Sequence, residues 1–560
     1  MFRLSHSAAL RSCRPSDRTE PASARPASAR PGSVDPLSPR LRPAARVLFA
    51  GLLATTVTGS LLAGCSFSDD DGGSGTAAPS ALSKAGKVPQ GVKDPAAQES
   101  YRQFYSQKPV WQDCEDFECT TVTVPVDWAD PGGASIELAL RRLPAAGKSF
   151  GSMLINPGGP GVSGADFVES ARIVFGRKVR ERFDIVGWDP RGIGKSVPIK
   201  CVSDAEIERL LSGESTPDDA TEIAQSIAEQ KKFANACVDN SGEIVRHVDT
   251  ISTVKDMDVI RAVLGDETLS YYGASYGTYL GAWYAETFPW RAGRLVLDGA
   301  VDPSLSTEQY TTGQALGFQR GMKAFVEDCL SRSGCPLRGS TEQAVQQLDN
   351  LIQNADDHAL RTDVGRELTQ SLMVTGLAMG MYDDQFWPML TEAIKKAVKG
   401  DGTGLLKLAD TYNERDEGGR YSQVLAANSA IYCLDHAVEE SPEQIRTLAD
   451  ALAERYPPFG RSMGWGLLGC SQWPLDAVVP AKKLTADSAA PILVIGTKGD
   501  PATPYEWAQS LAEQLSSGRL LTWEGEGHTA YSRGSDCVEG IVEDFFLAGK
   551  DPGENRTCPA

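Results

Sequence analysis

Ser275 is the residue of this 560-residue chain whose surroundings best suit nucleophilic chemistry. It is the centre of Gly273-Ala-Ser-Tyr-Gly277, between a β-rich run over 268–272 and a helix-like run over 278–286. A strand-to-helix turn with a glycine on each side exposes the serine hydroxyl above the N-terminus of the following helix. The sequence therefore predicts a serine nucleophile on a sharp turn.

Ser462 is the centre of a second match to the G-x-S-x-G pattern, Gly460-Arg-Ser-Met-Gly464. With 55 glycines in the chain, chance supplies about half a match, so the flanking residues must decide. Tyr456-Pro-Pro-Phe459 before it is not a buried strand, and Trp465-Gly466 after it starts no clear helix. We interpret Ser462 as a loop residue without a catalytic role.

His528 is the candidate base for Ser275, because a serine attacks only when a neighbouring group takes its proton. The five histidines of the chain are His6, His247, His358, His436 and His528. The first two precede the serine, and the next two lie in a helical region where we expect surface or structural roles. His528 follows a predicted strand that ends at Trp523, in a glycine-rich loop at the carboxyl edge of the sheet.

Asp500 is the candidate acid that orients His528. It ends Gly496-Thr-Lys-Gly-Asp500 directly after the predicted strand 491–495. The chain order serine, acid, histidine is that of α/β-hydrolases. Asp435 is the alternative, but it precedes the second half of the predicted sheet and follows no strand.

An oxyanion hole is predicted from Asn156-Pro-Gly-Gly-Pro-Gly161, which follows a strand ending at Ile155. Such a hole needs two backbone N–H groups aimed at the negative charge of a tetrahedral intermediate. We assign the N–H groups of Gly159 and Tyr276 to it. An ordinary tight turn is the alternative for the glycine-rich segment.

Six short apolar runs separated by helical patterns indicate an α/β fold with a mostly parallel sheet and helices on both faces. The runs are 151–155, 183–187, 269–272, 294–297, 491–495 and 519–523. Strand-like segments at 120–124 and 135–140 add an antiparallel hairpin. Between 303 and 489 the strand signals give way to helical patterns. We predict core domain parts at 101–302 and 490–560, separated by a helical cap over 303–489 that covers the catalytic edge.

Residues 1–65 have the pattern of a secretory signal, with arginines before an apolar stretch that starts at Val47. Leu62-Ala-Gly-Cys65 resembles a bacterial lipobox, in which the cysteine is lipidated after cleavage. We predict a lipid anchor at Cys65, a flexible linker over 66–100, and an extracytoplasmic location, membrane-anchored or secreted. An uncleaved transmembrane anchor is the alternative, since about eighteen apolar residues can just span a bilayer.

The charge of the chain disfavours nucleic acid and anionic lipid as partners. Residues 1–64 hold nine arginines and three acidic residues, so the chain after them carries a formal net charge of −25 instead of −19. We expect a solvated acidic surface. Gly194-Lys195-Ser196 resembles the end of a phosphate-binding loop, but Asp189 stands where that loop needs glycine. No cofactor is therefore predicted.

Ten cysteines remain after Cys13 and Cys65 are set aside, an even number that suits an oxidising compartment. Their grouping suggests five disulfides, although sequence alone does not fix the connectivity. The suggested pairs are Cys114–Cys119, Cys201–Cys237, Cys329–Cys335, Cys433–Cys470 and Cys537–Cys558. Zinc binding is the alternative, but the chain has no C-x-x-C pair or clustered histidines, so we predict no metal site.

Five motifs resemble those of secreted tripeptidyl aminopeptidases of the α/β-hydrolase class, which are related to prolyl aminopeptidases and include mycelium-associated lipoprotein proteinases. The motifs are Asn156-Pro-Gly-Gly-Pro-Gly161, Trp188-Asp-Pro-Arg-Gly-Ile-Gly194, Gly273-Ala-Ser-Tyr-Gly277, Leu297-Asp-Gly-Ala300 and Gly527-His528. The resemblance covers about 110–558, and its end resembles the TAP-like C-terminal domain of that family. It implies Ser275, Asp500 and His528 as the triad. Val162 departs from the pattern, since many relatives have glycine there.

The resemblance also implies release of short peptides, such as tripeptides, from free N-termini through an acyl-enzyme. An anionic pocket must then bind the α-ammonium group of the substrate. The cap supplies five candidate acids for it: Asp383, Asp384, Asp435, Glu439 and Glu440. One alternative is an esterase or lipase with the same triad, and another is a non-catalytic surface lipoprotein that binds peptides.

Overall fold

The computed structural model describes residues 84–553 and 555–560. Within them, ten strands form one sheet in the order β1-β2-β3-β5-β4-β6-β7-β8-β9-β10. The strands are β1 (Gln112–Cys114), β2 (Phe117–Pro125), β3 (Ser135–Leu143), β4 (Gly151–Asn156), β5 (Phe183–Trp188), β6 (Leu269–Ala274), β7 (Ala292–Asp298), β8 (Ile492–Gly499), β9 (Gly518–Glu526) and β10 (Arg556–Cys558). Neighbours from β5 to β10 are parallel, and the pairs from β1 to β5 are antiparallel. The mostly parallel sheet is as predicted.

Helices account for most of the remaining described chain. They are α1 (Arg102–Tyr105), α2 (Gly164–Phe167), α3 (Ala171–Val174), α4 (Arg177–Arg180), α5 (Asp204–Leu211), α6 (Ala220–Ser241), α7 (Thr250–Val263), α8 (Tyr276–Thr287), α9 (Thr307–Ser331), α10 (Thr341–Asp357), α11 (Gln370–Met381), α12 (Trp387–Ala397), α13 (Thr403–Tyr412), α14 (Val424–Asp435), α15 (Pro442–Arg455), α16 (Gly460–Gly466), α17 (Leu468–Ser471), α18 (Tyr505–Gln514) and α19 (Asp536–Ala548). Short 3₁₀ turns lie at Pro95–Ala97, Glu99–Tyr101, Val168–Ser170, Gly242–Arg246, Pro289–Arg291 and Asp384–Phe386.

Helices cover both faces of the sheet. Successive residues of a strand point to opposite sides, so each strand contributes side chains to the apolar core on each face. In β4, Met153 packs into the same core as Val538 of α19, whereas Leu154 packs into the core that contains Leu280 of α8. The predicted α/β class is confirmed. Since β4, β6, β7, β8 and β9 are parallel, their carboxyl ends meet at one edge, which places the loops after them together.

Helices α9 to α17 occupy the chain between β7 and β8, where the described residues contain only isolated bridges as β-structure. Most of these helices share an apolar core of their own, which includes Phe318, Phe325 and Leu377. α14 differs, because its Ala427 and Ile431 pack into the core beside the sheet.

Ser462 lies in helix α16, so the loop predicted around it is wrong. α16 packs closely on α15, and glycine makes this approach possible. A Cβ on Gly464 would lie only 2.5 Å from the Cα of Ala449. A tertiary contact thus stabilises a glycine-rich helix that the local sequence disfavours. The hydroxyl of Ser462 donates to the carbonyl of Phe459 within this turn.

Five disulfides join the pairs that the cysteine grouping suggests. Cys433–Cys470 fastens α14 to α17, and Cys537–Cys558 fastens α19 to the edge strand β10. Each cross-link lowers the entropy of the unfolded chain and stabilises the fold by about 2–4 kcal/mol in the usual range.

Residues 84–100 contact the core, although the sequence places them in a flexible linker. The amide of Gly86 donates to the carbonyl of Trp290 over 2.7 Å, and Arg291 binds both carboxylate oxygens of Asp94. The linker predicted over 66–100 therefore ends before Gly86. The predicted signal and Cys65 lie outside the described residues. Among the residues described, no helix is long and apolar enough to cross a membrane.

Candidate active site

Ser275 lies at the turn between β6 and α8 with φ 56° and ψ −125°, which non-glycine residues rarely adopt. Its amide N–H donates to the carbonyl of Asp298 over 2.9 Å and ties the turn to the end of β7. Glycine is required at 273, since a Cβ there would lie 2.6 Å from the carbonyl carbon of Gly277. The structure thus contains the sharp strand-to-helix turn that the sequence predicts.

His528 and Asp500 form a hydrogen-bonded pair. Nδ1 of the imidazole lies 2.9 and 3.0 Å from the two carboxylate oxygens of Asp500. The carboxylate is buried and also accepts the backbone N–H groups of Ala502, Thr503 and Thr529. The hydroxyl of Thr503 donates to Asp500 and lies 3.3 Å from Nδ1. With Nδ1 engaged, Nε2 is the ring nitrogen that remains available as a base.

The loop after β7 lies beside both Ser275 and His528. Asp298 binds the Ser275 amide, and a Cβ on the next residue, Gly299, would lie 3.1 Å from Cε1 of His528. Among the described residues no hydrogen bond joins the Ser275 hydroxyl to the imidazole. Catalytic hydrogen bonds in unliganded enzymes are often long and shorten when substrate binds.

The glycine-rich loop after β4 packs directly on the nucleophile turn. A Cβ on Gly158 would lie 2.5 Å from the carbonyl oxygen of Ala274 and 2.9 Å from the Tyr276 amide nitrogen. The Gly158 N–H donates to the side chain of Asn156, whereas the N–H groups of Gly159 and Tyr276 have no hydrogen-bond acceptor among the described residues. Two unpaired donors beside a serine have the composition of an oxyanion hole.

Val162 packs against this loop. A Cβ on Gly159 would lie 3.2 Å from Cγ2 of Val162. The outer side of the loop is held by α14, since the side-chain amide of Asn428 donates to the carbonyl of Pro160 over 3.1 Å. The loop is therefore fixed from both sides.

Tyr382, which the sequence analysis missed, contacts His528 from the helical region. Its carbonyl accepts the His528 amide N–H over 2.8 Å, and the two rings meet edge to face with centroids 5.4 Å apart. An isolated bridge between Asp383 and Gly527 extends the contact. No periodic pattern marks this contact in the sequence, because it joins two irregular segments far apart along the chain.

Arg533 fastens the same two segments together. Its guanidinium donates to the carboxylates of Asp383 and Asp384 over 2.9 and 3.1 Å, and to the backbone carbonyl of His528 over 3.2 Å. The side chain of Arg533 is only 10% exposed, so its guanidinium is largely shielded from water where it makes these charge-assisted bonds. The first two of the five candidate amine-binding acids are therefore already paired with a cation.

Asp435 is buried beneath α8, the nucleophile helix that begins directly after Ser275. It does not contact His528, so it is not the acid partner of the imidazole. It accepts the backbone N–H and the hydroxyl of Thr250 and lies 3.4 Å from the hydroxyl of Tyr276. Burial raises the pKa of Asp435 to about 8. Of the other candidate acids, Glu439 is exposed and Glu440 is partly buried.

Asp298 is a second buried carboxyl at the site. It accepts the backbone N–H groups of Ala530 and Tyr531, both 2.9 Å away, and the hydroxyl of Tyr272. Burial raises its pKa to about 6. Asp298 thus joins the end of β7 to the loop that carries His528. Among the described residues, no group of three or more His, Cys, Asp or Glu side chains could hold a metal ion.

Comparison with known proteins finds several relatives of similar length. A family model described as TAP-like protein matches residues 455–558. Serine protease Hip1 of Mycobacterium tuberculosis is 37% identical over 453 residues, covering 79% of this chain and 87% of the relative. Tripeptidyl aminopeptidase of Streptomyces lividans is 30% identical, covering 80% and 86%. Carboxylesterase B of Mycobacterium tuberculosis is 34% identical, covering 80% and 89%.

Solved structures also match, at lower similarity. Proline iminopeptidase of Mycobacterium smegmatis aligns with 76% of this chain and 97% of its own, at 13% identity and a TM-score of 0.31. A hydrolase from Pseudomonas aeruginosa aligns with 79% and 99%, at 13% identity and a TM-score of 0.31.

Proposed function

The chain belongs to the TAP-like family of α/β-hydrolase serine proteases and aminopeptidases, and on this premise we propose that it releases short peptides from free N-termini. The observation that carries the proposal is the Asp500–His528 pair beside the Ser275 turn, in a chain related to a tripeptidyl aminopeptidase. Fold and reaction class follow from the family. Peptide length and end preference are part of the proposal.

In the proposed mechanism, Ser275 Oγ attacks the carbonyl carbon of the substrate while Nε2 of His528 takes the hydroxyl proton. Asp500 stabilises the resulting imidazolium through Nδ1–H. The N–H groups of Gly159 and Tyr276 bind the oxyanion. The imidazolium then protonates the leaving amine, an acyl-enzyme forms, and water attacks it with His528 again as base.

The helical region supports an exopeptidase more than an enzyme that cleaves within long chains. Tyr382 contacts the catalytic imidazole, and Asn428 of α14 holds the oxyanion loop, so helices from 303–489 border the site on two sides. We propose that this cap admits only the end of a peptide. Asp384, which is about half exposed and adjoins the loop of His528 through Arg533, is the acid that we propose binds the substrate amine.

Kinetics with matched substrates test the proposal. A tripeptide anilide with a free amine, such as alanyl-alanyl-proline anilide, should be cleaved with higher kcat/KM than the same peptide with a blocked amine. Ser275→Ala should abolish cleavage and labelling by a fluorophosphonate probe. Ser462→Ala, in the second G-x-S-x-G match, is the control and should keep both.

An esterase is the second candidate, because the relative named Carboxylesterase B is 34% identical over most of its length. An esterase needs no anchor for an amine, so it would prefer simple nitrophenyl esters or blocked peptides. That preference, together with loss of ester cleavage in Ser275→Ala, would replace the aminopeptidase proposal with this one.

We also propose that the protein is exported and anchored through a lipid on Cys65. The lipobox-like sequence and the five disulfides support this proposal. Metabolic labelling with a palmitate analogue should mark the wild-type protein and not Cys65→Ser. Membrane retention of an unlabelled protein that still carries residues 1–64 would favour an uncleaved anchor instead.

A further inference from the structure

Asp435 comes from the helical region but reaches into the core beneath the nucleophile helix. It ends α14, and its carboxyl is almost completely buried. Oδ1 accepts the backbone N–H of Thr250 over 2.8 Å, and Oδ2 lies 2.7 Å from the hydroxyl oxygen of the same residue. The proposed mechanism gives this carboxyl no role, although burying a carboxyl group costs folding free energy.

The hydroxyl of Thr250 connects Asp435 to the nucleophile turn. Thr250 Oγ1 lies 2.6 Å from the hydroxyl oxygen of Tyr276, so the Thr250 hydroxyl joins the carboxyl and the phenol by one hydrogen bond each, and the phenol also reaches Oδ2 of Asp435 directly over 3.4 Å. Tyr276 directly follows Ser275, and its backbone N–H, beside the oxyanion loop, has no acceptor among the residues that the structure describes. The side chain of Tyr276 therefore binds Thr250, whereas its backbone N–H lies at the oxyanion loop.

We infer that Asp435 is a positioning residue, which through Thr250 and Tyr276 holds the first turn of α8 so that the Tyr276 N–H points at the oxyanion. This inference rests on the proposed function of Ser275. Asp435 touches neither substrate nor reacting atoms, and it acts through the two hydroxyl groups.

The need for such an anchor follows from the geometry of oxyanion stabilisation. A donor works only when it is held within about 0.5 Å of its productive position. The Tyr276 ring also stacks on Tyr279, with centroids 6.1 Å apart, so its hydroxyl and one ring face are both restrained. If the hydroxyl loses its partner, the ring and the turn that carries the N–H can shift together.

The charges around Asp435 favour its neutral form. The groups that face it are Asp249 at the start of α7, Tyr276 and Tyr279 of α8, and His436 next to it in the chain. Burial raises the pKa of Asp435, and the negative charge of Asp249 raises it further. Burial lowers the pKa of His436 to about 4, so the neighbouring imidazole supplies no positive charge at neutral pH. A neutral carboxyl keeps both contacts, because its carbonyl oxygen accepts the Thr250 N–H and its own O–H donates to the Thr250 hydroxyl.

The test measures the rate at which a fluorophosphonate probe labels the enzyme, which needs the nucleophile and the oxyanion hole but no peptide subsite. Tyr276→Phe and Thr250→Val should each slow labelling about 10-fold, a fraction of the loss when one oxyanion donor is removed. The double variant should be no slower than Tyr276→Phe alone, because the Tyr276 hydroxyl takes part in both links to Asp435, through Thr250 and directly. Thr250→Ser keeps the hydroxyl and should recover most of the rate.

Tyr284→Phe is the matched control. Tyr284 is a buried tyrosine on the same helix, nine residues after Ser275 along the chain, and its hydroxyl donates to Asp258 over 3.1 Å. This variant loses one tyrosine–aspartate hydrogen bond and should label at the wild-type rate. With a peptide substrate, Tyr276→Phe should lower kcat and leave KM unchanged, since the oxyanion forms only in the transition state.

Three results would overturn the inference. Wild-type labelling rates for Tyr276→Phe and Thr250→Val would show that the hydroxyl chain does not position the N–H. Additive losses in the double variant would show two independent effects. A raised KM with unchanged kcat would mean that Tyr276 contacts the substrate instead. If Ser275→Ala itself still labels, the proposed function fails, and that outcome is distinct from the other three.

Discussion

At the scale of single residues, the contact between Gly158 and the nucleophile turn leaves no room for a side chain. Gly158 has φ +92°, and a Cβ there would lie 2.9 Å from the Cβ of Ser275. The oxyanion loop and the serine can approach each other only because this residue is glycine.

Gly158→Ala should therefore reduce probe labelling and peptide cleavage by about 100-fold, comparable to the loss of one oxyanion donor. Gly91→Ala is the matched control, because Gly91 has a similar φ of +87° but no atom of the described residues within 4 Å of the added Cβ. Both variants incur backbone strain, so thermal melting should fall in each. Equal activity in the two variants would contradict the role of the Gly158 contact.

At the scale of elements, the cap and the histidine loop are joined by Arg533, Tyr382 and Asp383. Arg533→Ala should lower kcat by up to about 100-fold, since small displacements of a catalytic group are costly. Arg320→Ala is the control: Arg320 of α9 binds Glu506 of α18 over 2.7 Å, but both side chains are about half exposed. Steady-state kinetics should show little change for the control. A loss confined to thermal stability in Arg533→Ala would contradict the prediction.

The sequence predicts the sheet and its edge well because these depend on local signals. Short apolar runs locate β4 to β9, and the glycines around Ser275 and before His528 mark the loops at the carboxyl edge. The order serine, acid, histidine then selects Asp500, whose hydrogen bond to His528 the structure contains. The turn and the acid–imidazole pair are thus accessible from composition and spacing.

Contacts between distant irregular segments are beyond such reasoning. Tyr382 accepts the His528 amide N–H through its backbone carbonyl, which any residue type provides. The residue type at position 382 therefore does not indicate this contact in the sequence. Helix α16 forms around Ser462 because of packing on α15. The sequence offers Asp435 as an alternative acid for the imidazole, but its actual partner Thr250 lies in no recognisable motif. In each case tertiary packing, which sequence patterns do not record, determines the outcome.

At the scale of the whole molecule, the stability of the fold should depend on pH through Asp435. Its pKa of about 8 lies above the usual value of 3.8, so the folded protein binds a proton that the unfolded chain has released. The stability linked to that proton is fully present below about pH 4 and is lost as pH rises to 8. His436 has the opposite effect, because its lowered pKa makes the free energy of unfolding rise with pH, but only between about pH 4 and 6.5.

Between pH 6.5 and 8, the free energy of unfolding should therefore fall by up to about 2 kcal/mol from Asp435, at about 1.4 kcal/mol per pH unit. Chemical denaturation at several pH values measures this slope. Asp435→Asn removes the titrating group and should flatten the profile in that window. An identical slope in the variant would contradict the assignment of the slope to this carboxyl.

The disulfides pair cysteines that are consecutive along the described chain, with sequence separations of 5, 36, 6, 37 and 21 residues. None of the five loops encloses or interleaves with another. On the proposed export route the N-terminus emerges first, so each bridge can close before the next two thiols arrive. Oxidative maturation then has no mispaired intermediate to correct, and the protein should form its bridges without reshuffling by an isomerase.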